Sequence, residues 1–185
     1  MRLSLIQSSE TNINSIYIIR NFIEDDMYLE YLNNKVCDYT KKDEMHSLSN
    51  VKANMTNYKK LLNDNDFEKL HIKILNILAF IFRLRTPHPE ESFKFIMNDS
   101  WGMRHKQYEK TINHIHTFSD WSGAFYFTIP NTTIMNFPDF QEKLILENNM
   151  LVLFQSYTKH SVDSHESDKD RISMAFNIEM EPKDK

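Results

Sequence analysis

The hydrophobic period changes once along this chain, and that change restricts the folds open to it. From residue 21 to about residue 85 apolar side chains recur every three or four positions, whereas beyond Pro87-His88-Pro89 they recur every second position in runs of strand length. Leu29, Leu32 and Val36 make one helical stripe behind Asp25-Asp26. Phe67, Leu70, Ile74, Ile77, Leu78 and Ile81 make a clearer one, capped by Asn65 or Asp66, with Glu68, Lys69 and Lys73 outward. A loop is expected at Pro87-His88-Pro89. Strands are expected over 93–97, 101–108, 111–117, 122–129, 150–154 and 171–179. In the last, Ile172, Met174, Phe176 and Ile178 share one face and Arg171, Ser173, Ala175 and Asn177 the other. An apolar face packs; a polar face carrying one arginine looks into something it must recognise. Short antiparallel strands without crossover helices predict an α+β chain with a mainly β core, a sandwich or jelly roll buttressed on one sheet by the helical half. At 185 residues one domain is expected, about 1–90 as helical support and about 91–180 as core.

Composition narrows the function. Only two glycines, Gly102 and Gly123, occur, which excludes a P-loop or a GxGxxG fingerprint. Net charge is −4 with no basic block, so nucleic acid is not the expected partner. Cys37 is alone, is read as a small buried hydrophobe, and with no signal-peptide layout at the N-terminus points to a cytoplasmic setting. The apolar stretch from 72 to 84 is broken by Lys73, Asn76 and Arg83 and is too short for a bilayer, so no membrane partner is expected.

Five of eight histidines lie in the β-rich half. In His114-Ile115-His116 a strand would put both imidazoles on one face about 6–7 Å apart, within reach of one metal ion, with Ile115 toward the core. A third ligand must come from another strand, and His160 follows an apolar one. Arg171 stands 11 residues later (171 − 160). His105 and His165 are read as surface residues. An isolated His-x-His is more often structural than metal-binding, and a lone Arg171 is more often a salt bridge to Asp168 or Asp170; the combination is what carries weight.

That order of residues resembles the Fe(II)- and 2-oxoglutarate-dependent oxygenases, whose usual signature is HxD/E…H…R. The run from His114 through Ser119, Ser122 and Gly123 to Phe127 is similar to the "HxHxxSxxSGxYY" segment of a branch found in phages and marine bacteria. Met150 to Ser156 with His160, and Arg171 to Asn177, resemble that branch's "LVLFPS…H" and "RISxSFN" blocks, and Ile19-Arg20-Asn21-Phe22 resembles the opening strand of prolyl-hydroxylase-like members. The resemblance implies a double-stranded β-helix that binds Fe(II), 2-oxoglutarate and O₂ and hydroxylates a small molecule or a protein side chain. A phage-encoded member would work in host cytoplasm. It further implies His114, His116 and His160 as metal ligands, Arg171 as the partner of the distal carboxylate, and Ser173 and Tyr126 as further contacts to the co-substrate. Trp121, Tyr157 and Asn177 are candidates for the substrate pocket, and residues 50–56 for a lid. Two departures stand out. His116 occupies a position where most of the superfamily has a carboxylate, leaving Asp120 as the alternative ligand. Asn149 occupies a position where the branch often has glycine, and Asn is the residue best suited to a left-handed turn; Gly123 is expected where a ligand or backbone approaches closely. Two other readings stay open: a catalytically idle jelly roll used for binding or structure, and a three-histidine metal dioxygenase without a keto acid.

Overall fold

A computed structural model describes residues 2–7, 15–42, 50–85 and 93–182; the expected loop at Pro87-His88-Pro89 lies outside them. Strands β1 (Arg2–Gln7) and β2 (Ser15–Arg20) precede helix α1 (Asp26–Lys42), then come β3 (Val51–Lys52), β4 (Asn54–Met55) and helix α2 (Glu68–Arg85). The remainder is β5 (Phe93–His105), β6 (Lys110–His114), β7 (Trp121–Thr128), β8 (Ile134–Phe137), β9 (Glu142–Ile145), β10 (Met150–Gln155), β11 (His160–Val162) and β12 (Arg171–Pro182). Every strand pairing is antiparallel, in a seven-stranded sheet of order β1-β2-β10-β7-β12-β5-β4 and a five-stranded sheet of order β3-β6-β11-β8-β9. The described residues form a jelly roll with two helices, the double-stranded β-helix expected.

Alternation along β12 decides the layering. Ile172, Met174, Phe176 and Ile178 join Leu32, Val36, Leu70, Ile74, Leu78 and Ile81 in one core between the large sheet and the helices. Ala175, on the opposite face, packs with Trp101, Met103, Val51 and Met55 between the sheets. A third cluster, with Ile16, Ile18, Tyr126, Val152 and Phe154 against Phe137, Leu144 and Val162, fills the rest of the sandwich. The interior face of β12 therefore carries Arg171, Ser173 and Asn177 between the sheets, where an arginine must find a use.

Several details differ from the sequence reading. The predicted strands 93–97 and 101–108 are one strand, β5, paired with β12 along its whole length with a single irregularity near Asn177. Residues 50–56 form no lid: β3 joins the small sheet and β4 the large one, so this stretch is wall. The cap before α2 is Asp64, whose side chain accepts from the Asp66 amide of a single 3₁₀ turn, rather than Asn65 or Asp66. Cys37 is half-buried at the edge of the helix-side core.

Gly123 faces the helices. A Cβ there would meet the Phe176 ring and the Val152 carbonyl oxygen, each at 2.5 Å, so backbone does approach closely as expected, and together with Phe176 it excludes a side chain. Gly123→Ala should destabilise the fold by about 2 kcal/mol or more, measured by urea unfolding, because backbone cannot retreat from an added methyl. Asn149 adopts φ 57, the left-handed conformation expected of it. Its side chain also does what glycine cannot: Oδ1 accepts from the Ile23 amide at 2.8 Å and Nδ2 donates to the Ile23 carbonyl at 2.7 Å, tying β10 to the start of α1. Asn149→Gly should therefore lower stability by about 1 kcal/mol, since two buried hydrogen bonds outweigh the relief at φ, and Asn149→Ala by about 3 kcal/mol. A glycine variant more stable than wild type would sink this account.

Candidate metal centre

β6 and β11 are antiparallel neighbours with His114 directly opposite His160, and a register break follows before Val162. A direct cross-strand pair brings two side chains to the same face within about 5 Å at Cβ. His116 arrives differently. β6 ends at His114, so His116 is not a strand neighbour on the same face but lies in the segment beyond, with Ile115 outward and 47% exposed rather than in the core. Serines fix that segment. The His116 amide donates to the Ser156 carbonyl at 2.8 Å, while Ser156 Oγ lies 3.1 Å from Ser119 Oγ and 2.7 Å from Ser122 Oγ. The serines quoted above only as part of a similar motif thus have a physical task, clamping the His116 turn to the end of β10.

The potential ligand atoms of His114, His116 and His160 all lie within 4.8 Å of one another, and among the described residues these three make the one cluster that could hold a metal ion. The His116 and His160 rings are nearly parallel, 5° apart, with centroids 5.3 Å apart. Two tautomers are settled by their partners. His114 Nδ1 is 2.8 Å from the Ile112 carbonyl and His160 Nδ1 is 2.9 Å from the Thr158 carbonyl. A carbonyl only accepts, so each Nδ1 carries the proton and each Nε2 presents a lone pair, the state a metal ligand needs. The Asn177 side chain adjoins His116 and opposes the effect of burial on its pKa; its Oδ1 accepts from Ser122 Oγ at 2.9 Å and its Nδ2 donates to Asp99 Oδ2 at 3.2 Å. Burial keeps all three rings neutral. It lowers the pKa of His114, takes His116 down to about 4, and pushes His160 well below the ordinary range with help from its two neighbours.

His71 is likewise taken by burial to about 4, and it sits 3.0 Å from Ser100 Oγ. Histidines depressed in the folded state have one consequence for stability. The unfolded chain takes up protons below about pH 6.5 while the folded one does not, so stability present at pH 7 falls as the pH drops from about 6.5 toward 4. His71 alone should account for about 2 kcal/mol at pH 5. Urea titrations at pH 7 and pH 5 should show the loss, and it should be smaller in His71→Leu.

Arg171 is the second element. It is 1% exposed, yet only Nη1 is satisfied, donating to the Asp163 carbonyl at 2.8 Å; Nε and Nη2 have no hydrogen-bond partner. Neither Asp168 nor Asp170 pairs with it, Asp170 facing Arg104 instead. Burial lowers the guanidinium to about 10. Ser173, also buried, is two residues along on the same face and opposite Tyr126 across the β12–β7 ladder. Tyr126 is buried, its hydroxyl 3.6 Å from Met135 Sδ and its pKa raised by burial to about 12. Tyr126, Thr111, Met103 and the three histidines line a small cavity between the sheets. On the outer side of His114 and His116 a larger cavity of about 360 Å³ is walled by Tyr58, Trp101, Asp99 and Asn177 and rimmed by Ile115 and Phe118. A cavity of about 340 Å³ between α2 and β5 is similar in size but is lined by none of the histidines.

Other sequence candidates are placed elsewhere. Asp120 is not in the histidine cluster, its Oδ2 accepting from the Met180 amide at 2.7 Å at the sheet end. Trp121 packs on Tyr17 in the helix-side core, away from the cavities. Tyr157 is 52% exposed in the turn after β10. Asn177 does line the larger cavity. His105 and His165 are not surface residues but 1% and 2% exposed. The sequence reading did not select Trp101, Tyr58 or Asp99, which lie on a strand and a turn with no spacing signal of their own.

No family profile matches the chain, and no curated protein sequence matches it. Solved structures do. The viral collagen prolyl hydroxylase of Paramecium bursaria Chlorella virus 1, in complex with 2-oxoglutarate, superposes with a TM-score of 0.65 at 14% identity, covering 88% of this chain and 94% of that one. A prolyl-4-hydroxylase of Pseudomonas putida gives 0.65 at 11% identity, covering 89% and 93%. HygX of Streptomyces hygroscopicus, with nickel and 2-oxoglutarate bound, gives 0.58 at 10% identity, covering 89% and 82%. What this chain shares with these prolyl hydroxylases and 2-oxoglutarate-binding proteins is their fold, a double-stranded β-helix with helices packed on its larger sheet.

Proposed function

We propose that the chain is an Fe(II)- and 2-oxoglutarate-dependent dioxygenase that hydroxylates a substrate C–H bond while 2-oxoglutarate is converted to succinate and CO₂. The observation that carries this reading is the pairing of three converging neutral imidazoles with a fully buried arginine that keeps two guanidinium nitrogens unpartnered. A buried charge without a counter-ion is costly, and a carboxylate arriving in the fork of the guanidinium removes that cost.

The donor set fits iron. Three neutral nitrogen ligands on one side leave other positions for a keto acid and a gas, and the lone pairs of His114 and His160 are already presented by their carbonyl partners. His114, His116 and His160 would hold the ion, which supplies activation of O₂; one oxygen atom ends in succinate and the other in the hydroxylated product. The chain supplies placement. Arg171, with Ser173 and Tyr126, would fix the distal carboxylate, so that the keto-acid end of the molecule is delivered to the histidines. Trp101, packed 6.1 Å from His116 between centroids, and Val51 give the inner cavity an apolar wall beside the histidines. The larger cavity, adjoining His114 and His116, is the place for the substrate, a peptide side chain or a small molecule.

Anaerobic calorimetry should show one Fe(II) per chain and, in its presence, one 2-oxoglutarate, with slow succinate release once O₂ is admitted. A protein that binds neither would end the proposal. The three-histidine reading without a keto acid is separated by the same experiment, since it expects iron to bind and 2-oxoglutarate not to.

A further inference from the structure

His105 lies directly opposite Arg171 across the β5–β12 ladder, so the two side chains share the interior face of the large sheet. Both are fully buried, and His105 Nδ1, like Arg171 Nε and Nη2, has no hydrogen-bond partner. We infer that His105 is a second donor for the remote carboxylate of the keto acid, and that with Arg171 it makes this end of the sandwich selective for dicarboxylic keto acids. The inference rests on the reading of Arg171 given above and extends it to a residue outside the motif.

Its neighbour permits the polarity of the imidazole that this inference requires. His105 Nε2 is 3.1 Å from Thr111 Oγ1, and a threonine hydroxyl can rotate to donate. When it does, Nε2 accepts and the ring proton sits on Nδ1, which becomes a buried donor with nothing to receive it. Thr111 lines the inner cavity with the metal-site histidines, so the residue that permits this tautomer also borders the space the keto acid would fill. Burial and the adjacent Arg171 charge keep the ring uncharged, so what it offers is a hydrogen bond.

His165 is excluded by the same reasoning. Its Nε2 is 3.1 Å from the His105 carbonyl, which can only accept, so the proton is on Nε2 and the buried, unpartnered Nδ1 is a lone pair that would repel a carboxylate. Its role is to hold the His105 backbone. Asp163, whose carbonyl takes Arg171 Nη1, closes the same end.

The test compares 2-oxoglutarate with 2-oxobutanoate, which has the same chelating head and no second carboxylate, binding to the Mn(II)-loaded full chain by calorimetry. His105→Leu should weaken 2-oxoglutarate roughly tenfold, the cost of one hydrogen bond to a charged group, and leave 2-oxobutanoate unchanged. His105→Asn, whose side-chain amide can place a donor near Nδ1, should stay within about threefold of wild type. Should the leucine variant fail to fold, ¹⁵N NMR of wild type decides: the His105 Nδ1 proton should shift on adding 2-oxoglutarate and not on adding 2-oxobutanoate. Equal affinities in all three proteins, or an unmoved resonance, overturn the inference. If Arg171→Met loses the preference for 2-oxoglutarate and His105→Leu keeps it, the inference fails while the reading of Arg171 stands. If wild type itself shows no preference, that reading fails as well.

Discussion

Arg171→Met should lose 2-oxoglutarate binding by at least about 100-fold, keep metal binding, and unfold at a temperature no lower than wild type. The loss is large because a bidentate carboxylate pair in a dry interior commonly accounts for ~2–5 kcal/mol when one partner is truncated. Stability behaves differently. In the free protein the guanidinium is 1% exposed with a single hydrogen bond, to the Asp163 carbonyl. Exchanging a charge in that state for an apolar side chain of similar length is commonly neutral or stabilising. Calorimetry and a thermal melt on one preparation check both halves. A variant that binds 2-oxoglutarate as wild type does would remove the keto acid from the proposal, and a variant that melts well below wild type would mean that Arg171 is structural after all.

The second large effect is expected at the histidines. His160→Ala should weaken metal binding by more than about 100-fold, beyond the 10- to 100-fold usual when only a supporting hydrogen bond is lost. It should also abolish succinate formation. His160 is the most buried of the three and has a lone pair already aimed by Thr158. Asp120→Ala should leave metal affinity nearly unchanged, because its carboxylate is engaged with the Met180 amide, and should lower stability modestly through that lost bond. Titration of Co(II) followed by its visible absorption separates the cases. Asp120→Ala losing the metal while His116→Ala retains it would exchange their roles.

Much of this site was legible because period-2 patterns carry their own geometry. The division of β12 into a packed face and a polar interior face follows from residues 171 to 178 without coordinates, and so does the side on which Arg171 and Ser173 lie. The helical stripes of α1 and α2 were equally readable. The short strands β3, β4, β8, β9 and β11 were not, since two to four residues do not establish a period. His105 and His165 were misread for a related reason. A histidine's burial depends on what lies across the ladder and over the sandwich end, and His105 is buried by Thr111, Arg171 and the loop carrying His165.

The sequence by itself determined the two kinds of secondary structure, the face of β12 that looks inward, and the residue types able to hold a metal ion and a carboxylate. Tertiary structure alone decided which of those residues meet. The pairing of β6 with β11 sets His114 against His160 across 46 residues of sequence (160 − 114). A clamp of three serines, from β7, the turn after β10 and the turn between β6 and β7, brings in His116, whose own strand has already ended. The ladder between β5 and β12 places His105 beside Arg171. The physical reason is that strand alternation is a local property of the backbone, written into every second residue. Register between strands is fixed by long-range packing of the two sheets, and no short stretch of sequence contains it.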